Sequence, residues 1–154
     1  MSALNEILER EIEQVSRFLV FLDQEQDVLK SAQPESLPPI HAEKAATVAL
    51  LNELETRRIQ LIGGTRELSD RARMEAWLKS HPAETKSARL WERLIELARS
   101  TKEKNDLNAI LIKMHLERTT QALNILTRHA QENTLYGSDG QASVFTGSRI
   151  VDSA

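Results

Sequence analysis

The sequence predicts an all-α fold: long antiparallel amphipathic helices in an elongated, coiled-coil-like hairpin or bundle, followed by a flexible C-terminal tail. Three observations predict it. Apolar residues recur at three- and four-residue steps over long stretches, with charged residues between them. Of the 154 residues only five are Gly and four Pro, and before residue 133 the only glycines are Gly63 and Gly64, so a β or α/β fold has too few places to turn. Aromatic residues make up 4% of the chain, too little bulk for a wide core and enough for a narrow helical one. A chain of this length can bury a core without disulfide or metal support. It divides into a helical bundle domain, 1–132, and a C-terminal segment, 133–154.

The first helix spans residues 3 to about 32, a stretch free of Gly and Pro, with Leu4, Ile7, Leu8, Ile12, Val15, Leu19, Leu22 and Leu29 on its apolar face. At about 1.5 Å per residue it is roughly 45 Å long. Gln33-Pro34-Glu35-Ser36-Leu37-Pro38-Pro39 ends it, because proline lacks the amide proton and biases its predecessor away from helical angles. Ser36 is the candidate N-cap of a second helix, 37–62, whose apolar positions are Ile40, Val48, Leu51, Leu54, Ile59, Leu61 and Ile62. Gly63-Gly64 closes that helix. A short third helix covers 69–80, capped by Ser69 or Asp70, with Met74, Trp77 and Leu78 inward, and His81-Pro82 stops it.

The last helix, 83–131, carries a ladder of alternating four- and three-residue steps: Ser87, Trp91, Leu94, Ala98, Thr101, Asn105, Asn108, Ile112, His115, Thr119, Ala122 and Leu126. Such 3.5-residue spacing is that of a coiled coil, but the middle of the ladder is polar. Between Arg99 and Asp106 the apolar stripe vanishes. There the helix projects past its partners or meets something polar; the alternative is a local break near Lys104.

The chemistry of sites is sparse. With no cysteine there is no disulfide framework, thiol nucleophile or cysteine-bound zinc, which is compatible with a reducing cytoplasm. His41, His81, His115 and His129 form no His pair at i, i+4 and no Glu-x-x-His motif. His115 and His129 share a helix face but stand about 21 Å apart, so they cannot share a metal within one chain. Carboxylates alternate with Lys and Arg, as in Glu53-Leu54-Glu55-Thr56-Arg57-Arg58, the pattern of a solvated helix surface. Gly63-Gly64-Thr65-Arg66 lacks the Lys-Ser/Thr of a phosphate loop. A net charge of -3 and basic pairs diluted by acids argue against a nucleic-acid surface. No apolar run exceeds the five residues Phe18–Leu22, against the roughly 20 that span a bilayer, and the N-terminus has no secretory-signal pattern. The expectation is a soluble, non-enzymatic protein without metal or cofactor.

The tail is different in kind. Residues 133–154 have the Gly, Ser, Thr and Asp content of a segment that does not fold alone, yet Leu135, Tyr136, Val144, Phe145, Ile150 and Val151 are spaced through it. Such a segment orders on a partner, or docks on its own bundle as a frayed terminus.

Tyr136-Gly137-x-x-Gly140, then Arg149-Ile150 and Ala154, resembles the C-terminal signature of the FlgN-type flagellar export chaperones. Asn105-x-x-Asn108 followed by Ile110-Leu111-Ile112 resembles that family's Asn-x-x-Asn-Gly plus apolar pattern, with Ala109 in place of the usual Gly, and Ala suits a helix better. Lys44, Leu50-Leu51, Leu54-Glu55 and Arg57 or Arg58 are similar to its second-helix pattern. The resemblance covers nearly the whole chain. It implies a cytoplasmic chaperone that binds helical terminal segments of the flagellar hook-associated junction proteins, prevents their premature self-assembly and delivers them to the type III export gate. Carried onto this sequence, the cargo contacts are Leu135, Tyr136, Val144, Phe145, Ile150 and Val151, with a groove along the last helix at Ile112, Leu116, Leu123 and Leu126. Arg149 either bridges an acidic cargo residue or is a solvated charge. The competing reading is a structural coiled-coil adaptor with an inert tail, and both a monomer and a homodimer are compatible with the apolar stripes.

Overall fold

The computed structural model describes residues 2–31 and 33–135, with the side chain of Leu135 excluded. Its elements are α1 (Ala3–Ser31), a 3-10 turn (Pro34–Ser36), α2 (Leu37–Ile62), α3 (Asp70–Ser80) and α4 (Thr85–Leu135), and no strand occurs among the described residues. The all-α expectation holds. The chain divides into two units, Met1–Leu111 and Ile112–Ala154, and each is described by itself.

In the first unit α1 is the central strut. Leu4, Leu8, Val15, Leu22 and Leu29 are buried, as their spacing predicts, while Ile7, Ile12 and Leu19 are half-buried at the margins. Leu4, Leu8 and Val15 join Met74 of α3 and Trp91, Leu94 and Leu97 of α4 in one apolar cluster, with Ile12, Leu51, Ile62, Trp77 and Leu78 packed against it. Each buried Leu or Met contributes roughly 1.5–3 kcal/mol relative to exposure. Glu11 meets Arg58 and Glu25 meets Lys44, so a step forward along α1 is matched by an equal step back along α2, and the two run antiparallel. Asn5 meets Ser87 and Asp23 meets Lys104, so α4 runs parallel to α1, the up-down-up order of three long helices.

Four details depart from the sequence-based expectation. Ser36 makes no side-chain cap bond and has helical angles of φ -85° and ψ -9°. Pro38 and Pro39 follow it in the first turn, and neither has an N–H for its hydroxyl to accept from, so the 3-10 turn leads into α2 instead. Val48 and Leu61 of α2 are exposed, and Thr47 and Arg58 are buried in their place. Thr47 tolerates this because its hydroxyl donates to the Glu43 carbonyl at 2.9 Å. On α4, Leu97 and the half-buried Lys104 take the inward places assigned to Ala98 and Asn105. That helix also opens at Thr85 rather than Ala83 and stays helical through Leu135 rather than Gln131.

The punctuation is otherwise as predicted. Ser69 caps α3, its hydroxyl accepting from the Ala72 amide at 3.2 Å. Gly63 donates to the Ile59 carbonyl at 2.9 Å with φ +67°, a backbone angle that only glycine adopts at little cost.

Candidate partner-docking face

Three polar rungs cross the apolar core of the first unit. At one end the Ser87 hydroxyl, fully buried, donates to the Asn5 side-chain oxygen at 2.7 Å. Next, Arg58 Nε donates to both oxygens of Glu11 at 3.2 and 3.0 Å, with both side chains about 5% exposed or less. The Arg58 guanidinium also lies 4.9 Å from the Trp91 ring centre, a cation-π contact that softens its desolvation. At the far rung Glu25 accepts from Lys44 Nζ at 3.2 and 3.0 Å and from Asn108 Nδ2 at 2.9 Å, and His41 Nε2 lies 2.9 Å from it. Asn108 Nδ2 donates to the Leu22 carbonyl as well, at 2.9 Å.

These rungs decide the question posed by the polar stretch 99–106. The helix is unbroken there and meets polar groups of α1: Lys104 Nζ bonds Asp23 at 2.7 Å, and Asn108 reaches Leu22 and Glu25. A polar residue at such a ladder position costs stability and fixes register.

Two carboxyl groups of this unit titrate abnormally. Burial pushes the Glu11 carboxyl up, against the pull of the Arg58 guanidinium. Glu55 on α2 shares a hydrogen bond with the Asp70 carboxyl in the first turn of α3. That bond, burial and the Asp70 charge together raise Glu55 from the usual 4.5 to about 7. An open groove of about 500 Å³ lies between α3 and α4, floored by Leu78, Trp91 and Ile95 and edged by Arg71, Glu75 and Glu92. Among the described residues no group of three or more His, Asp or Glu is placed to hold a metal ion, and no helix is long and apolar enough to cross a membrane.

The second unit presents a different surface. From Ile112 to Leu135 it is helical, and its apolar side chains face solvent: Leu116 is 64% exposed, Leu123 58% and Leu126 64%, while Ile112 is half-buried. All four belong to one side of the helix, with Thr119 between them. Its hydroxyl donates to the His115 carbonyl at 2.9 Å, so the face meets no unsatisfied polar group there. The four groove residues expected from the sequence are therefore together on one face. Of the histidines expected there, His115 is half-buried and His129 exposed. Leu135 continues the helix by its backbone; its side chain, and Tyr136, Val144, Phe145, Arg149, Ile150 and Val151, lie outside the described residues.

The family model described as FlgN protein matches residues 1–143. The chain belongs to the FlgN family. Among curated relatives, the flagella synthesis protein FlgN of Salmonella typhimurium is 32% identical over 146 residues, 94% of this chain and 93% of the relative. The flagella synthesis protein FlgN of Yersinia enterocolitica is 32% identical over 138 residues, 88% and 86% of the two chains. That of Proteus mirabilis is 37% identical over 65 residues, 41% of this chain and 44% of the relative. No solved structure matches the chain. Membership places it among flagellum-synthesis proteins.

The residues that resemble the FlgN second-helix and Asn-x-x-Asn patterns have physical roles here. Lys44 holds Glu25, Glu55 holds Asp70, and Leu54 is buried. Where the pattern left Arg57 or Arg58 open, Arg58 is the buried partner of Glu11, whereas Arg57 is a surface side chain paired with Glu53 at 2.6 Å. Asn108 is the buried Asn of the pair and Asn105 is exposed. What the sequence reading missed is that Glu11 and Glu25 are core positions. The signal was present: both fall in the four-and-three register of Leu4, Leu8, Val15, Leu22 and Leu29.

Proposed function

We propose that this FlgN-family chain is a cytoplasmic, non-enzymatic export chaperone. It binds the helical terminal segments of flagellar hook-associated junction proteins, keeps them from assembling prematurely and delivers them to the type III export gate. The observation that carries the reading is the exposed apolar face at Leu116, Leu123 and Leu126, continued by Ile112, on a helix of a flagellum-synthesis family member. Monomeric proteins rarely leave large contiguous apolar patches uncovered, and a helical face of this spacing accepts an amphipathic helix. The tail residues Leu135, Tyr136, Val144, Phe145, Ile150 and Val151 add anchors, with Arg149 bridging an acidic cargo residue.

The test is pull-down and calorimetry of junction proteins with the full chain and with residues 133–154 deleted. The expected result is retained helix content and solubility with weakened binding. Unchanged binding moves the site off the tail, and no binding to any junction protein by the full chain removes the chaperone reading. The four-and-three spacing of the same face also favours a coiled-coil adaptor. A concentration-dependent doubling of mass, without junction-protein binding, selects that alternative.

A further inference from the structure

The helices of the first unit are unequally tied to one another. The Asn5–Ser87, Glu11–Arg58 and Glu25 rungs cross-link α1, α2 and α4, and the exposed pairs of Glu9 with Lys86 and Asp23 with Lys104 add to them. α3 has almost no such ties. Its hydrogen bonds and its Arg71–Glu75 ion pair stay within residues 68–81. Among the described residues one polar link leaves it, the hydrogen bond between Asp70 and Glu55 of α2. The rest of its hold is apolar: Met74, with no exposure, belongs to the cluster of Leu4, Leu8, Trp91 and Leu94, and Trp77 and Leu78 pack against that cluster. Turns flank it on both sides. Gly63 and Gly64, at φ +67° and +106°, precede it, and the turn from His81 to Glu84, with Pro82, follows it. At 11 residues it is too short to stay helical off the bundle, so its release and its melting are one event.

We propose that α3 is a proton-gated lid, held shut by the proton that Glu55 and Asp70 share, which detaches while α1, α2 and α4 stay folded and so uncovers the apolar surface around Leu8 and Trp91. With α3 docked, the shared hydrogen bond, burial and the Asp70 charge raise Glu55 to about 7; Glu11 of α1 adds to the rise and Arg58 of α2 opposes it. From α4 the uncharged Trp91 ring lies beside Arg58. With α3 released, the Asp70 contribution is gone and Glu55 returns towards 4.5. The docked lid therefore binds the extra proton between those values. Docking is strongest below about pH 4.5, weakens as pH rises, and has lost the proton's share above 7. His81, its ring stacked 4.2 Å from that of Trp77, is the other titratable group at this helix, and its bonds to Ser80 and Trp77 travel with the lid. Nothing in this arrangement depends on which partner the chain binds.

The experiment is amide hydrogen exchange of the full chain, read by mass spectrometry as protection factors at about pH 5 and about pH 8, for the wild type, Glu55→Gln and Asp70→Asn. The expected result is weaker protection of residues 70–80 than of the middle of α1 at both pH values. In the wild type the protection of 70–80 falls by about fivefold between the lower and the higher pH, while that of α1 does not follow it. In both variants the fall disappears, since neither retains two carboxyl groups to share a proton. Protection of 70–80 equal to that of α1 would mean that α3 opens only with the whole bundle, and overturns the lid. A wild-type lid indifferent to pH overturns the gate. So does a fall that persists in either variant, which would belong to His81 or to another group. If circular dichroism shows that Glu55→Gln does not fold, Asp70→Asn, altered at the other end of the same hydrogen bond, carries the comparison.

Discussion

Glu55 and Asp70 face each other across the start of α3, and two carboxyl groups so placed cannot both ionise cheaply. With its pKa raised to about 7 from the usual 4.5, Glu55 keeps its proton more firmly in the folded chain than in the unfolded one. The folded state therefore binds the extra proton between those values. Its stabilisation is complete below about pH 4.5 and is lost as pH rises through 7. Because Glu55 is only half-buried and faces Arg58 as well as Glu11 and Asp70, solvent screening reduces the effect to about 1 kcal/mol. Glu55→Gln should keep the hydrogen bond without the titration. Its urea-unfolding free energy should exceed that of the wild type at pH 8 and equal it near pH 5, and a parallel pH dependence in both proteins would rule the pair out as the cause. Glu11 and Arg58 present the complementary case, a fully buried ion pair. Glu11→Ala leaves the guanidinium uncompensated and should cost about 3–5 kcal/mol, while Glu11→Leu/Arg58→Met should fall within about 2 kcal/mol of wild type by chemical denaturation. These pairs were poorly legible in the sequence because a charge in an amphipathic stretch reads as solvated. Only the register shared with Leu8 and Val15 distinguishes Glu11 from an exposed neighbour such as Glu13.

At the scale of elements, the number of helices and the breaks between them were the most readable features and the inward faces the least. Proline at 34 and 82 and glycine at 63 and 64 set chain breaks through covalent geometry alone, and Pro38 and Pro39 fit the first turn of α2. Which side of α2 turns inward depends instead on what α1 offers, and Glu11 and Glu25 recruit Arg58 and Lys44 in preference to exposing Val48 and Leu61 less. The same reasoning separates the two serine caps. Ser69 has an amide to accept from and Ser36 does not, although both precede a helix. Ser69→Ala should lower stability by about 1 kcal/mol, and Ser36→Ala by no more than a few tenths. Thermal unfolding of the two variants side by side tests this, and equal losses would show that sequence position rather than donor availability governs capping here. The polar stretch of α4 belongs to the same lesson. Thr101, Lys104 and Asn108 leave no apolar signal for periodicity to detect, but Lys104 and Asn108 find partners on α1, and Thr101 bonds the Leu97 carbonyl at 2.7 Å.

For the whole molecule, the side chains that hold the fold and those proposed to recognise a partner belong to different units. Leu8, Met74 and Trp91 are in the first, and Leu116, Leu123 and Leu126 are in the second. Ile112, Leu116, Leu123 and Leu126 were named through the family resemblance, and the structure puts them on one side of a helix, whereas the tail was marked by its composition and, beyond Leu135, lies outside the described residues. Separation of roles makes the two functions separable by mutation. Leu116→Asp/Leu123→Asp removes two apolar groups that are already 64% and 58% exposed, so it opens no cavity and buries no charge. The expected outcome is an unfolding free energy within about 0.5 kcal/mol per substitution of wild type, with binding of junction-protein segments weakened at least tenfold. Leu8→Ala should do the reverse, costing about 2–5 kcal/mol through the cavity it leaves at a side chain with no exposure, while the folded fraction still binds. Calorimetric titration and urea unfolding on the same three proteins measure both quantities. If the double Asp variant lost stability in step with binding, the exposed face would be part of the fold, and recognition would have to be sought elsewhere on the chain.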